Sequence, residues 1–323
     1  MRGRSISAFL IASIALALFS SGVVEAQEEL FPPQFAFAYV YGRHPGAGIG
    51  LDPAGNVWVA DDLAGLFFVL DPYLVTSSTW AGVGTPVGAF LNPVDIAFAS
   101  TGDFFVLESS RVRRFDAARN PLGTFGSAGS GPGQFLSPTH IVCDTQGNVY
   151  VSDGPAGRVQ KFNSTGALLQ EWDLPVGPQT PSAAGVFVDA ANRVFVTDAG
   201  NRKVVVFSSS GSVLTSWGET GSGPGQLLAP GAIAVDAVGI VYVADLATLR
   251  VQKFLIGGTP LTYWRPSLSS SPPSDIATGP LGRIYVDGHG SGGPPPYAWI
   301  QGLQYEATLT RTASWGAVKR LYR

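Results

Sequence analysis

Gly147-Asn-Val-Tyr-Val-Ser-Asp153 is preceded and followed by versions of itself. The same grammar appears at Gly55-Asn-Val-Trp-Val-Ala-Asp61, Asn192-Arg-Val-Phe-Val-Thr-Asp198 and Gly239-Ile-Val-Tyr-Val-Ala-Asp245. Looser copies stand at Gly102-Asp-Phe-Phe-Val-Leu-Glu108 and Gly282-Arg-Ile-Tyr-Val-Asp287. The anchor positions 55, 102, 147, 192, 239 and 282 are separated by 43 to 47 residues. A fixed period in this range marks a chain assembled from copies of one supersecondary unit.

The flanks of each copy complete that unit. A strand led by proline comes first, as in Pro138-Thr-His-Ile-Val-Cys-Asp144, and likewise from Pro93, Pro230 and Pro273. An Asp-x-x-Gly turn joins it to the anchor strand; the Asp side chain bonds the backbone ahead and glycine takes the positive φ. A third strand follows at Arg158-Val-Gln-Lys-Phe162, Lys203-Val-Val-Val-Phe207 or Arg250-Val-Gln-Lys-Phe254. Hairpins at Gly166 and Gly211 lead to a fourth, Leu168 to Trp172 or Val213 to Trp217. Four β-branched and aromatic runs per copy, bounded by turn residues and without helical periodicity, predict an all-β chain. Six such copies predict a six-bladed β-propeller, since a ring covers both faces of every blade whereas a linear solenoid leaves two bare ends. Phe35 to Gly42 reads as a detached fourth strand that joins the last blade, and Tyr305 to Trp315 reads as a competitor for that edge.

Composition agrees and excludes other classes. Of the 323 residues 45% are hydrophobic and 13% charged, with 41 Gly and 24 Pro, which suits a turn-rich folded chain and not a disordered one. The formal charge of −3 argues against a nucleic-acid backbone as partner. Cys143 is the single cysteine, so there is no intrachain disulfide and no cysteine metal cluster. Arg2 and Arg4, the apolar run Ile6 to Phe19 and Val24-Glu-Ala26 form the pattern of a secretory signal peptide over residues 1–26. The run is too short to anchor a membrane span, and residues 27–323 are then the propeller, secreted or periplasmic. Cleavage removes two arginines and one glutamate and leaves a formal charge of −4.

The connectors carry a family resemblance. Phe125-Gly-Ser-Ala-Gly-Ser-Gly-Pro-Gly-Gln-Phe135 precedes Pro138, and Trp217-Gly-Glu-Thr-Gly-Ser-Gly-Pro-Gly-Gln-Leu227 precedes Pro230. With Asp198-Ala-Gly-Asn-Arg-Lys-Val204 they resemble the NHL repeat. Repeat 1 departs with Leu66 in place of a basic residue, and repeat 6 with Gly288 in place of the acid and a Gly/Pro-rich insertion from Gly290 to Pro296. The resemblance implies a propeller fold and leaves activity open, because binding modules, lyases and hydrolases share it.

Two sets of residues invite a chemical reading. The acids Asp61, Glu108, Asp153, Asp198 and Asp245 recur once per blade, and Arg158, Lys203 or Arg250 follows three of them by five residues. Their regularity assigns them to the framework, tying strand ends together. Residues that break the repeat are the better candidates. Two positions after the connector proline, at the channel mouth, stand Asp95, His140, Ala232 and Asp275; His289 falls in the loop between the second and third strands of repeat 6, and His44 in the entry to repeat 1. His140, Asp95 and Asp275 are candidate ligands for Zn²⁺ or Ca²⁺, and propeller lyases that this chain resembles place a metal at such a mouth. Tyr297 and Trp299 offer aromatic anchors beside the insertion. The reading favours a scaffold that binds protein, peptide or glycan through Asp95, His140, Asp275, His289, Tyr297 and Trp299, with no catalytic set. The alternative is a metal-dependent lyase or hydrolase at the channel mouth.

Overall fold

Six antiparallel sheets follow one another around a ring, the first five running from the innermost to the fourth strand in chain order. The computed structural model describes residues 27–28, 34–41, 45–75, 77–81, 90–266, 272–290 and 297–304. Blade 1 comprises Pro45–Leu51, Val57–Asp61, Leu66–Leu70 and Ser77–Trp80; blade 2, Pro93–Phe98, Phe104–Glu108, Val112–Phe115 and Pro121–Phe125. Blade 3 comprises Pro138–Cys143, Val149–Asp153, Arg158–Phe162 and Leu168–Asp173; blade 4, Ala183–Val188, Val194–Asp198, Lys203–Phe207 and Val213–Trp217. Blade 5 comprises Pro230–Val235, Ile240–Asp245, Arg250–Leu255 and Pro260–Trp264. In blade 6, Pro273–Thr278, Arg283–Gly290 and Tyr297–Gln304 supply three strands, and Gln34–Tyr41 from the start of the chain supplies the fourth. The ring is thus closed by strand exchange between the two ends of the chain, pairing Tyr41 with Tyr297 and Gln34 with Leu303. Residues 305–315, the competing edge, lie outside the described residues. Just before the closing strand, Gln27–Glu28 pairs in parallel with the outer strand of blade 5.

The turns form for the reason expected. Asp144 Oδ1 accepts the N–H groups of Gln146 at 2.9 Å and Asn148 at 2.8 Å, and Asp52 and Asp236 repeat the arrangement. Gly147 closes the turn with φ +80°, and Asn192 takes the same left-handed conformation, φ 58°, in the fourth blade.

The anchor strands are buried along their whole length, from Val57 to Asp61 and at each equivalent position. Their side chains meet those of the neighbouring blade in six apolar clusters among the described residues, one at each blade boundary. A second device recurs between blades. The hairpin glycine of one blade covers the aromatic that ends the fourth strand of the blade before it. A Cβ added at Gly211 would lie 1.3 Å from Trp172 Nε1, at Gly166 2.5 Å from a Phe125 ring carbon, and at Gly258 2.3 Å from Trp217 Cγ. Any larger residue there would push the blades apart.

Candidate functional site

The innermost strands place one residue per blade at the channel mouth: Gly48, Asp95, His140, Gly185, Ala232 and Asp275. Twelve residues later, on each neighbouring anchor strand, stand Ala60, Leu107, Ser152, Thr197, Ala244 and Asp287. The polar members meet across blade boundaries. Asp95 accepts the Ile141 N–H of blade 3 at 2.9 Å, and the His140 Nδ1–H donates to the Ala184 carbonyl of blade 4 at 2.6 Å. The Thr197 hydroxyl donates to the Gly231 carbonyl of blade 5 at 2.5 Å, and Asp275 accepts the Ile49 N–H of blade 1 at 2.9 Å. Gly48 leaves room for this packing, since a Cβ there would stand 2.7 Å from Asp95 Oδ1.

Within the ring, His140 Nε2 lies 3.4 Å from Asp275 Oδ1. Burial alone would lower the histidine pKa, but the charge of Asp275, its contact with the ring, Asp95 and the Ala184 carbonyl reverse this and raise it to about 9. The imidazole is therefore a cation at neutral pH, with both nitrogens donating. Asp95 is pushed well above the usual carboxylate range by burial and by the charge of Asp275. Asp287 is pushed up by burial and the same neighbour; its Oδ1 accepts the Asp275 N–H at 2.8 Å, while its Oδ2, also buried, accepts no hydrogen bond among the described residues. Three carboxyl groups face one imidazole. Behind them a cavity of about 160 Å³ follows the channel, lined by apolar residues such as Ile96, Val186 and Ile276. Cys143 lines it too, half-buried, with burial and Asp144 pushing its thiol up and away from the thiolate form.

The structure thus gathers Asp95, His140 and Asp275 in one place, with Asp287 added. Sequence reasoning passed over Asp287, although a carboxylate where the other blades carry Ala, Leu, Ser or Thr was the available signal. The remaining candidates sit differently. Trp299 is fully buried in the cluster between blades 5 and 6, so its ring packs the core and is closed to a ligand. His289 falls within the strand Arg283–Gly290, paired opposite Ala298, and not in a loop; the second strand runs further than its counterparts. Tyr297 begins the next strand. His44 and residues 291–296 lie outside the described residues.

The donors present do not fit a metal centre. No group of three or more His, Cys, Asp or Glu side chains among the described residues is arranged to hold an ion. Asp95 Oδ1 and Oδ2 accept from Ile96 and Ile141, Asp275 Oδ1 and Oδ2 from Ile276 and Ile49, and the His140 nitrogens are taken by the Ala184 carbonyl and Asp275. The framework acids behave as the repeat implied. Asp153 accepts the Leu136 and Ser137 N–H groups, Asp245 those of Leu228 and Ala229, and Asp198 that of Ser182. Arg158 and Arg250 stand 3.6 and 3.9 Å from Asp153 and Asp245.

No protein-family model matches the chain. The human NHL repeat-containing protein 3 is 27% identical over 143 residues, 40% of this chain and 41% of that protein. Its mouse counterpart is 30% identical over 108 residues, and the Caenorhabditis elegans protein lin-41 is 33% identical over 90 residues, only 7% of its length. Among solved structures, the streptogramin B lyase superposes with a TM-score of 0.58 at 16% identity, covering 84% of this chain and 88% of that one. A gluconolactonase from Xanthomonas campestris gives 0.58 at 12% identity, covering 88% and 99%. The nidogen/laminin complex gives 0.53 at 17% identity, covering 68% and 79%. At these identities the solved structures share the fold alone, and the matched segments span less than half of the NHL relatives. Repeat grammar, blade order and these likenesses agree: the chain is a six-bladed β-propeller whose repeats resemble the NHL repeat.

Proposed function

We propose that the protein is an exported binding scaffold that holds its ligand on the face where the channel mouth opens. One observation carries this reading. Both nitrogens of His140 and all four carboxyl oxygens of Asp95 and Asp275 are engaged within the ring, so these three side chains serve the fold and present no free group to a substrate. A rigid ring with its ionisable groups used as staples leaves recognition to the loops that it positions. The nidogen/laminin complex contains a fold neighbour of this chain, and a partner-binding propeller fits the same use.

Export rests on the leader-like pattern of residues 1–26, and material recovered outside the cell is expected to begin at Gln27 by mass spectrometry. The binding face is tested in the native host with a photo-crosslinking residue placed at Ser109, exposed in the second-to-third-strand loop of blade 2, or at Val238, exposed on the opposite face. Adducts are expected from position 109 and not from 238. Adducts from 238 alone would move the site to the other face.

A further inference from the structure

After each mouth residue comes one whose backbone N–H faces the channel: Ile49, Ile96, Ile141, Val186, Ile233 and Ile276. Strand register fixes this direction. In blade 4 the Asp189 N–H donates to the Arg193 carbonyl at 3.0 Å, so Phe187 and Phe195 form the next hydrogen-bonded pair and Val186 and Val196 the pair after it. The Val186 N–H therefore points away from its own sheet. In blade 5 the bond from Asp236 to Ile240 and the pairing of Ile233 with Val243 give the same result. Two carboxyl groups serve four of these six N–H groups, in a pseudo-threefold pattern. Asp95 bridges Ile96 of its own blade 2 and Ile141 of blade 3, at 2.7 and 2.9 Å, and Asp275 bridges Ile276 of blade 6 and Ile49 of blade 1, at 2.7 and 2.9 Å. The third couple is Val186 of blade 4 and Ile233 of blade 5, and there Gly185 stands at the position of Asp95 and Asp275. Among the described residues no side chain accepts from either N–H.

The reason for the glycine is steric. A Cβ built on Gly185 would stand 2.6 Å from the Gly231 carbonyl oxygen and 3.0 Å from Ala232 Cα, so blades 4 and 5 approach too closely there for a side chain. The Ile233 nitrogen lies 3.1 Å from the same point. On the channel side the two donors open onto the cavity of about 160 Å³, which Val186 and Ile233 both line. The imidazolium of His140, bonded to the Ala184 carbonyl one residue before Gly185, places the cation of the mouth beside them. Asp95 and Asp287, held above the usual carboxylate range, reduce the negative charge that an incoming anion meets. Among the described residues no Lys or Arg lines the cavity, which weighs against a phosphate, and its size suits a small acid and not a polymer. We propose that the channel mouth binds a small carboxylic acid as its anion, the carboxylate bridging the Val186 and Ile233 N–H groups as Asp95 and Asp275 bridge theirs. This site rests on the backbone geometry of the channel, and the binding role of the loops stands or falls separately.

The test follows the backbone amides of nitrogen-15-labelled residues 27–323 at pH 7 while sodium acetate is added at constant ionic strength. The Val186 and Ile233 signals are expected to shift together and to saturate, with Ile49, Ile96, Ile141 and Ile276 moving less. Acetamide, of the same shape without the charge, is expected to bind at least tenfold more weakly. Ala232→Asp gives blade 5 a carboxylate of its own for the Ile233 N–H, as Asp95 does for Ile96, and is expected to weaken acetate binding at least tenfold. An unchanged denaturation midpoint shows that this variant is folded; where the midpoint falls, the unmodified chain with acetate and acetamide decides alone. No saturable shift at Val186 and Ile233, equal binding of acetamide, or undiminished acetate binding by folded Ala232→Asp overturns the proposal.

Discussion

The Asp275 carboxylate accepts the backbone N–H of Ile49 at 2.9 Å, joining residues 226 positions apart across the seam of the ring. The same carboxylate holds the imidazolium of His140 on the far side of the channel mouth. One side chain therefore links the first, third and sixth blades, and the fourth strand contributed by Gln34–Tyr41 closes the same seam from outside.

Removing this link is expected to be costly. Asp275→Ala leaves the Ile49 N–H without its acceptor and strands a buried cation, which typically costs about 3–5 kcal/mol. Urea unfolding of residues 27–323 measures it. A loss below about 1 kcal/mol would mean that the seam is held by strand pairing alone.

Stability is expected to fall as pH rises. His140 has a folded pKa of about 9 against an ordinary 6.5, so its contribution is fully present below pH 6.5 and is lost as pH passes through 9. The shift corresponds to about 3 kcal/mol. Asp95 and Asp287 act in the same direction at lower pH, since both are held above their unfolded range and bind protons more tightly when folded. Denaturation midpoints from pH 5 to 10 should decline, and His140→Gln should flatten the part between 6.5 and 9. A midpoint that rises over that span refutes the ion-paired assignment.

Two adjacent glycines should respond very differently to the same substitution. Gly258 has φ +91° and its added Cβ would meet the Trp217 ring, whereas nothing lies within 4 Å of a Cβ at Gly257. Gly258→Ala is expected to cost about 2–4 kcal/mol from backbone strain and overpacking. Gly257→Ala should change stability by about 0.5 kcal/mol or less. Equal effects in thermal melts would show that the hairpin glycines do not seat the preceding blade's aromatic.

The blades were legible because their signals are local. An Asp-x-x-Gly turn, a Val-Tyr-Val strand and a proline entry each write themselves within a few residues, and the period multiplies them sixfold. The detached strand at Gln34–Tyr41 was legible for the same reason, as a fourth strand lacking its first three. Asp95, His140 and Asp275 were found because they break a repeated position. Trp299 was misread because burial depends on which face of the strand meets blade 5, and the irregular sixth repeat hides that register. His289 was placed in a loop because the longer second strand of blade 6 has no counterpart to compare. The leucines at 91, 136 and 228 went unread although they recur before three of the entry prolines; a lone Leu in a turn carries no sign that its backbone is pinned by an acid 17 residues away.

The state of one imidazole tests the central claim most directly. If the mouth cluster is a structural staple and not a reactive centre, His140 in residues 27–323 is an imidazolium at pH 7, protonated on both nitrogens and titrating near 9. Nitrogen-15 NMR of the ring reads this. His140→Gln assigns the signal, since the protein has only 3 histidines. A neutral ring at pH 7, titrating at or below 6.5, would mean a nitrogen free to take a proton or a metal, and would contradict the account.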